Sequence, residues 1–396
     1  MIQAVLSNKD HPEYGVATIP FPIDRDEYDH CIGLVEALEI GNASKQDCQV
    51  DEIIFGAWPV LKRLENTQVN LDELDYLAKR LDSFDAGEAA QFQAMAEKLD
   101  LHSMKDLINL TFCCQQATVI TNFSDLEAIG RDHYMNLHGG CASMDELEAL
   151  DGYETALLLI DSGAGVITPY GVVYDNGMQL EQLYDGKHLP GYHYEPDLMM
   201  VSLTSRSEPE DTKNVTWIYL PAAREQIDHA ILRSGITKPD DMRFRFIEGF
   251  IPTGIAAALD IEQDSIYELN DMALAVNKLS QQERTKLEAA VEMAGPESAF
   301  QIRHLAENLD LFDFAPGAHT PAEYGKYMIQ ESGHFEYDPN LEEFYDYNKY
   351  GLQRMDREYG IFTDKGYISY QGTMSLDELM MEDPAEQYQQ EMGGMA

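Results

Sequence analysis

Hydrophobic and polar positions run through the same series of patterns twice along this chain. Residues 3–7 and 16–21 alternate as a short strand pair. A helix over 24–38 and a strand over 51–55 follow. The series returns with strands over 200–204 and 215–220, a helix over 222–233 and a strand over 243–247. A helical block comes next each time, over 57–110 and 251–307. Its first helices, predicted over 71–83 and 265–279, carry apolar stripes at spacings of three and four: Leu71, Leu74, Leu77 and Leu81, then Ile266, Leu269, Met272 and Val276. Ser280 with Glu283 reads as a capping box, in which hydroxyl and carboxylate satisfy free N–H groups at a helix start. A hairpin closes each series. The pattern predicts 156–160 paired with 166–174, turning at Gly163 and Gly165, and 360–363 paired with 366–370, turning at Gly366. A second capping box, Ser375 with Glu378, predicts a short helix, and 387–396 reads as a frayed tail.

Identities in register support a duplication. Thr168, Gly171 and Gly177 fall on Thr363, Gly366 and Gly372 at an offset of 195, as Glu73-Leu74 falls on Glu268-Leu269. Pro22 with Asp29-His30 falls on Pro221 with Asp228-His229 at an offset of 199. A period this long implies domain-sized copies rather than a solenoid. The expected fold class is α+β: two tandem elongated modules, each of small mixed α/β subdomains with a helical middle block and a terminal β-hairpin. The expected boundaries are 1–177 for the first module, 178–198 for a linker rich in Gly and Pro, 199–372 for the second module, and 373–396 for the short helix and tail.

Composition adds one strong constraint. The chain holds 71 acidic and 27 basic residues, a formal net charge of −44, with 44% hydrophobic residues and 10% aromatics. Those apolar contents support folded cores and exclude an acidic disordered tail. The charge is spread evenly: residues 1–200 carry 35 acids and 11 bases, and 201–396 carry 36 and 16. Such a field repels nucleic acid and attracts cationic surfaces. Residues 1–15 lack the basic-then-apolar order of a signal peptide, and no stretch reaches 18 apolar residues, so a cytoplasmic protein without a membrane span is expected. Cys31, Cys48, Cys113, Cys114 and Cys141 show no C-x-x-C spacing and read as reduced core thiols.

Signals for chemistry are weak. His188, His193, Glu195 and Asp197 are close together but lie in the linker with no supporting spacing, so a solvated linker is the reading and no metal is assigned. Ser162-Gly-Ala-Gly165 opens no helix and so makes no phosphate cradle. Asp29-His30 and Asp228-His229 are helix neighbours about 100° apart, which suits capping or packing better than an acid–base dyad. No nucleophile elbow is present. No catalytic residue and no cofactor is assigned, and a non-enzyme is expected.

The acids themselves are the candidate site. Asp72, Glu73, Asp75, Asp82, Asp85 and Glu88 lie off the leucine stripe of the first helical block, and Glu268, Asp271, Glu283, Glu288 and Glu292 hold comparable ground in the second. Carboxylates three or four residues apart on a helix are spaced by about 5–6 Å, near the scale of phosphate spacing. A net charge of −44 matches that of about 22 base pairs of duplex. The distribution therefore reads as a surface that mimics DNA, with a salt-adapted acidic protein as the rival reading.

Four segments resemble a known family, the ArdA-type antirestriction proteins. Phe21-Pro-Ile-Asp24 resembles its N-terminal turn, Glu268-Leu-Asn270 its helical region, and Leu341-Glu-Glu-Phe-Tyr-Asp-Tyr-Asn-Lys-Tyr-Gly351 its aromatic acidic segment. The hairpin at Gly366 is similar to its terminal strand pair. The resemblance implies an elongated α+β protein that occupies the DNA-binding groove of type I restriction-modification enzymes, with Glu342, Glu343 and Asp346 joining the acidic candidates. It implies a basic groove of that or another defence enzyme as partner, a CRISPR effector being the alternative target, without direct nucleic-acid or membrane binding, in a bacterial host. Family members pair as dimers of one-module chains, so the expected assembly is a homodimer or a covalent pseudo-dimer. The first copy lacks a clear counterpart of Asp346–Gly351 in its sequence, the nearest segments being Arg131-Asp-His-Tyr134 and a helix over 143–150.

Overall fold

A computed structural model describes residues 1–54, 56, 58–194, 197–209, 212, 214–238, 241–249, 251–259, 264–334 and 336–381, with the side chains of 246–248 left out. Phe55, Glu195 and the tail over 387–396 lie outside the described residues. The chain divides into two compact units. One comprises Met1–Pro196, Leu203–Trp217 and Ala223–Met242; the other comprises Asp197–Ser202, Ile218–Ala222 and Arg243–Ala396.

The first repeat begins with β1 (Ile2–Ser7), β2 (Val16–Phe21), α1 (Tyr28–Glu36), β3 (Cys48–Ile54) and β4 (Gln68–Val69), in a sheet ordered β2-β1-β3-β4. Alternation along β1 buries Ile2, Ala4 and Leu6, and its register sets Ile2 opposite Phe21 and Ser7 opposite Val16. Helices α2 (Leu71–Asp82), α3 (Ala86–Lys98) and α4 (Met104–Leu110) form the middle block. Next come β5 (Thr118–Ile120), α5 (Leu126–Leu137), α6 (Met144–Ala149), α7 (Gly152–Asp161), β6 (Val166–Thr168) and β7 (Gly171–Tyr174), the strands ordered β5-β7-β6.

The second repeat follows the same order. Strands β8 (Met199–Ser205) and β9 (Thr216–Leu220) precede α8 (Arg224–Arg233) and β10 (Met242–Gly249), in a sheet ordered β10-β8-β9. Helices α9 (Thr253–Ala258), α10 (Ile266–Asn277), α11 (Gln281–Ala294) and α12 (Ala299–Glu307) come next. Then follow β11 (Phe312–Pro316), α13 (Pro321–Gln330), α14 (Tyr347–Glu358), β12 (Ile361–Thr363), β13 (Gly366–Tyr370) and α15 (Leu376–Leu379), with strands ordered β11-β13-β12. The fold is α+β, as the patterns predict.

Local chemistry explains why both repeats fold alike. Three helices of each middle block, α2–α4 and α10–α12, start on a side-chain cap that accepts from the N–H three residues on: Asn70, Asp85 and Ser103 in one repeat, Ser265, Ser280 and Ser298 in the other. These caps keep the 195-residue offset. Both predicted stripes are buried. Phe21–Pro22 and Leu220–Pro221 are both cis, and the residue after each proline is held by a side chain of the first middle helix. In both hairpins the threonine hydroxyl (Thr168, Thr363) donates to the glycine carbonyl three residues on, at 2.9 and 2.8 Å.

Three expectations are corrected. Residues 156–160 are not a strand but part of α7, and the first hairpin is β6–β7, turning between Thr168 and Gly171. Gly163 and Gly165 lie in the link from α7 to β6. The run Ala156-Leu-Leu-Leu-Ile160 is apolar at every position, so its pattern fits a strand or a helix equally. The first copy does contain a counterpart of Gly351. A Cβ on Gly351 would stand 1.8 Å from the Pro321 carbonyl oxygen, where α14 crosses α13, and a Cβ on Gly152 would stand 2.5 Å from the Glu127 carbonyl oxygen, where α7 crosses α5. Gly152 thus does for α5–α7 what Gly351 does for α13–α14. Finally, Cys31, Cys48, Cys113 and Cys114 are buried free thiols, but Cys141 is exposed.

Candidate partner-binding surface

The three acids that open α2 do not face solvent. Asp75 and Glu73 are buried and Asp72 largely so. Asp75 accepts the Ile23 N–H at 2.7 Å and pairs with Lys79 at 2.9 Å. Asp72 accepts from Tyr28 Oη at 3.0 Å and from His229 Nδ1 at 3.0 and 3.2 Å. Glu73 accepts from Tyr184 Oη at 2.5 Å. These positions correct the expectation of surface acids: carboxylates beside a buried stripe are partnered from within, because a buried charge requires partners, although Glu73 Oε2 makes no hydrogen bond.

The cation that completes this cluster is Arg233, at the end of α8. Its Nη1 donates to Asn70 Oδ1 at 2.9 Å, to Asp72 Oδ2 at 3.3 Å and to the Ala43 carbonyl at 3.3 Å. Nη2 donates to Tyr184 Oη at 3.1 Å and lies 3.5 Å from Glu73, while Nε donates to the Lys187 carbonyl at 2.9 Å. The fork of the guanidinium is thus used on every edge. Burial would raise the Asp72 carboxyl, but His229, Arg233 and Tyr28 hold it below its ordinary value. Burial raises Glu73, and the Tyr184 hydrogen bond and Arg233 only partly oppose it.

The remaining acids lie outward or cap helices. Asp82 is exposed and accepts from Tyr194 Oη at 2.6 Å. Asp85 and Glu88 form the capping box of α3, Ser265 with Glu268 that of α10, and Ser280 with Glu283 that of α11. Asp271 is exposed and lies 3.6 Å from Arg303. Glu288 pairs with Lys365 at 3.2 Å, and Glu292 accepts the Asp364 N–H at 3.1 Å. Glu342 and Glu343 are exposed in the 3-10 turn Pro339–Phe344, and Asp346 caps α14 through the Lys349 N–H at 3.0 Å. Asp85, Glu88, Glu268, Glu283 and Asp346 stand at helix starts, where carboxylates meet the positive end of the backbone dipole, whereas Asp82 and Glu292 stand near helix ends.

The aromatic segment before α14 is ordered by its own rings and by a close helix crossing. Tyr345 stands 5.8 Å from Tyr337 and 5.9 Å from Tyr347, whose hydroxyl accepts from Gln330 at 2.7 Å. Residues 214–369 match the family model for antirestriction protein (ArdA). This stretch is similar to the ArdA family. The match supports an antirestriction function. No curated protein matches the chain.

Within the ArdA stretch lie the Glu268-Leu-Asn270 segment on α10, the aromatic segment up to Gly351 and the hairpin β12–β13; Phe21-Pro-Ile-Asp24 lies outside it. Glu268, Asp271, Glu283, Glu288, Glu292, Glu342, Glu343 and Asp346 fall inside the ArdA match, and the six candidates of α2 and α3 fall before it. Among the described residues, no group of three or more His, Cys, Asp or Glu is placed to hold a metal ion, and no helix is long and apolar enough to cross a membrane. Sequence reasoning missed Asn70, Tyr184 and Arg233. His229 it read as a packing or capping residue, which fits its buried place. The signal was present at Arg233: its counterpart at the 199-residue offset is Leu34, a change from apolar to charged.

Proposed function

We propose that this protein is an antirestriction protein that imitates the phosphate surface of duplex DNA and occupies the DNA-binding groove of a type I restriction-modification enzyme. The observation that carries the reading is the ArdA match over 214–369 in a chain with a net charge of −44. Carboxylates at helix starts offer the groove's lysines and arginines the charge they take from phosphates. The action is occupancy: no bond is made or broken, and no cofactor is needed. In this reading the first repeat is a second ArdA-like module, and the protein works in the cytoplasm of a bacterial host.

The test is competition for a type I methyltransferase. The protein should displace a short labelled duplex, and the competition should weaken as salt rises, because the attraction is screened. Unchanged duplex binding in excess protein would overturn the reading. Capture of a CRISPR effector instead would move the same mechanism to another target.

A further inference from the structure

We infer that the first repeat is a receptor for one helix: Asn70, Asp72, Glu73 and Tyr184 form a buried socket for a helix carrying His and Arg four residues apart, and α8 of the second repeat fills it in cis. Three independent observations meet here. First, the chemistry is complementary. His229 and Arg233, one helical turn apart, present two cationic groups to two buried carboxylates, and Arg233 reaches Asn70 and Tyr184 as well. Second, α8 lacks its own cap. Ala223 offers no side-chain acceptor, and Asp29 of α1 accepts the Glu225 N–H at 3.1 Å in its place. A helix capped by another helix is built to be docked. Third, the two repeats differ at both halves of the fit. The counterparts of Asp72 and Tyr184 in the second repeat are Tyr267 and Leu379, and the counterpart of Arg233 in the first is Leu34. Only the first repeat has the socket and only the second has the key.

The fit is therefore directional. The repeats are not interchangeable halves, and a filled socket leaves no matching site for the α8 of another chain. Accordingly, residues 223–242 belong to the same compact unit as the first repeat.

Amide hydrogen exchange of the full chain tests this. Arg233→Met and Asp72→Asn should each speed exchange in residues 224–233 by about tenfold or more, with α10 unchanged. Wild-type exchange in α8 should be the same at protein concentrations about fiftyfold apart, as a cis contact requires. Unchanged exchange in both variants would overturn the inference. Protection that falls on dilution would also overturn it, since the occupant would then be the α8 of a second copy. If either variant fails to fold, Tyr184→Phe, which removes the hydroxyl's bonds to Glu73 and Arg233, and His229→Gln, which removes the ring's pairing with Asp72, must still speed α8 exchange; if neither does, the socket is refuted.

Discussion

The N–H of Ile23 donates to the Asp75 carboxylate at 2.7 Å, directly after the cis Phe21–Pro22 bond. In the second repeat Ala222 makes the same bond to Asn270, at 2.8 Å, directly after cis Leu220–Pro221. One repeat uses a charged acceptor and the other a neutral one at the same place. What the site requires is an oxygen, not a charge. An acid that composition would assign to the polyanionic surface is in fact a pin between the first strand pair and the helical block.

Asp75→Asn should therefore be tolerated better than Asp75→Ala. Alanine leaves a buried N–H unpaired, which costs about 1–3 kcal/mol. Asparagine keeps the acceptor for Ile23 and loses only the charge that pairs with the largely buried Lys79, so it should cost less than alanine, which loses both. Denaturant unfolding of the full chain separates the two. Equal losses in both variants would mean that the Lys79 pairing, not the Ile23 bond, sets the need for Asp75.

The fold was legible wherever a local signal decides structure. The capping boxes at Ser280 and Ser375, the stripes at Leu71 and Ile266 and the turn at Gly366 are short-range. The strand expected at 156–160 failed because an unbroken apolar run has no period. The acidic surface was legible in total but not residue by residue. Asp72 and Glu73 are buried because Arg233, more than 150 residues away, neutralises them, and no local window contains both partners. Only a comparison of the repeats, with Leu34 against Arg233 and Tyr267 against Asp72, exposes that pairing before the coordinates do.

The Asp72–His229 contact makes stability depend on pH. Burial alone would lower His229. The Asp72 carboxylate, with Glu225 and Glu36 nearby, instead raises it above its ordinary 6.5. Tyr28, Asp72 and Arg233 are the other titratable groups against the ring. A raised histidine stabilises the fold fully below about 6.5, and that contribution is lost as pH rises through the folded value. Asp72, lowered from 3.8, contributes above that value and loses its contribution as pH falls through the folded one. Glu73, raised by burial from 4.5, has the opposite sign: its contribution is present below 4.5 and lost as pH rises through its folded value. Urea unfolding followed by a probe in the first unit should show stability falling as pH rises from about 6.5 through the folded value of His229. His229→Gln should flatten that fall. An equal fall in the variant would place its origin elsewhere.

The paired glycines predict where the third subdomain of each repeat breaks. At Gly351 an added Cβ would meet the Pro321 carbonyl at 1.8 Å, and at Gly130 the Gly152 carbonyl at the same distance. Backbone cannot swing aside as a side chain does, so Gly351→Ala and Gly130→Ala should each cost about 3 kcal/mol or more. Gly33, on α1, has nothing within 4 Å of its built Cβ. Gly33→Ala should be neutral or stabilise by about 0.5–1 kcal/mol, as alanine favours a helix. Thermal unfolding of the three variants checks the contrast, and a mild effect at Gly351 would mean that α13 and α14 can separate without loss.

Charge on the surface and charge in the interior should separate by assay. Glu342 and Glu343 are exposed in a short turn inside the ArdA stretch, so Glu342→Gln with Glu343→Gln should leave stability within about 0.5 kcal/mol. If the groove reads carboxylates as phosphates, the double variant should compete less well with duplex for a type I methyltransferase. Its salt dependence should also be shallower, by about one unit of log–log slope per charge lost. Glu283→Gln is the informative middle case. A glutamine still accepts at the capping box of α11, so the helix survives while one charge at its start is gone. Weaker competition in that variant at unchanged stability would assign Glu283 to the partner as well as to the helix. Asp72→Asn should behave in the reverse way, reducing stability first and competition only as far as the fold is lost. Undiminished competition by the Glu342/Glu343 variant, with an unchanged salt slope, would remove the turn from the contact surface and leave the helix starts as its remaining candidates.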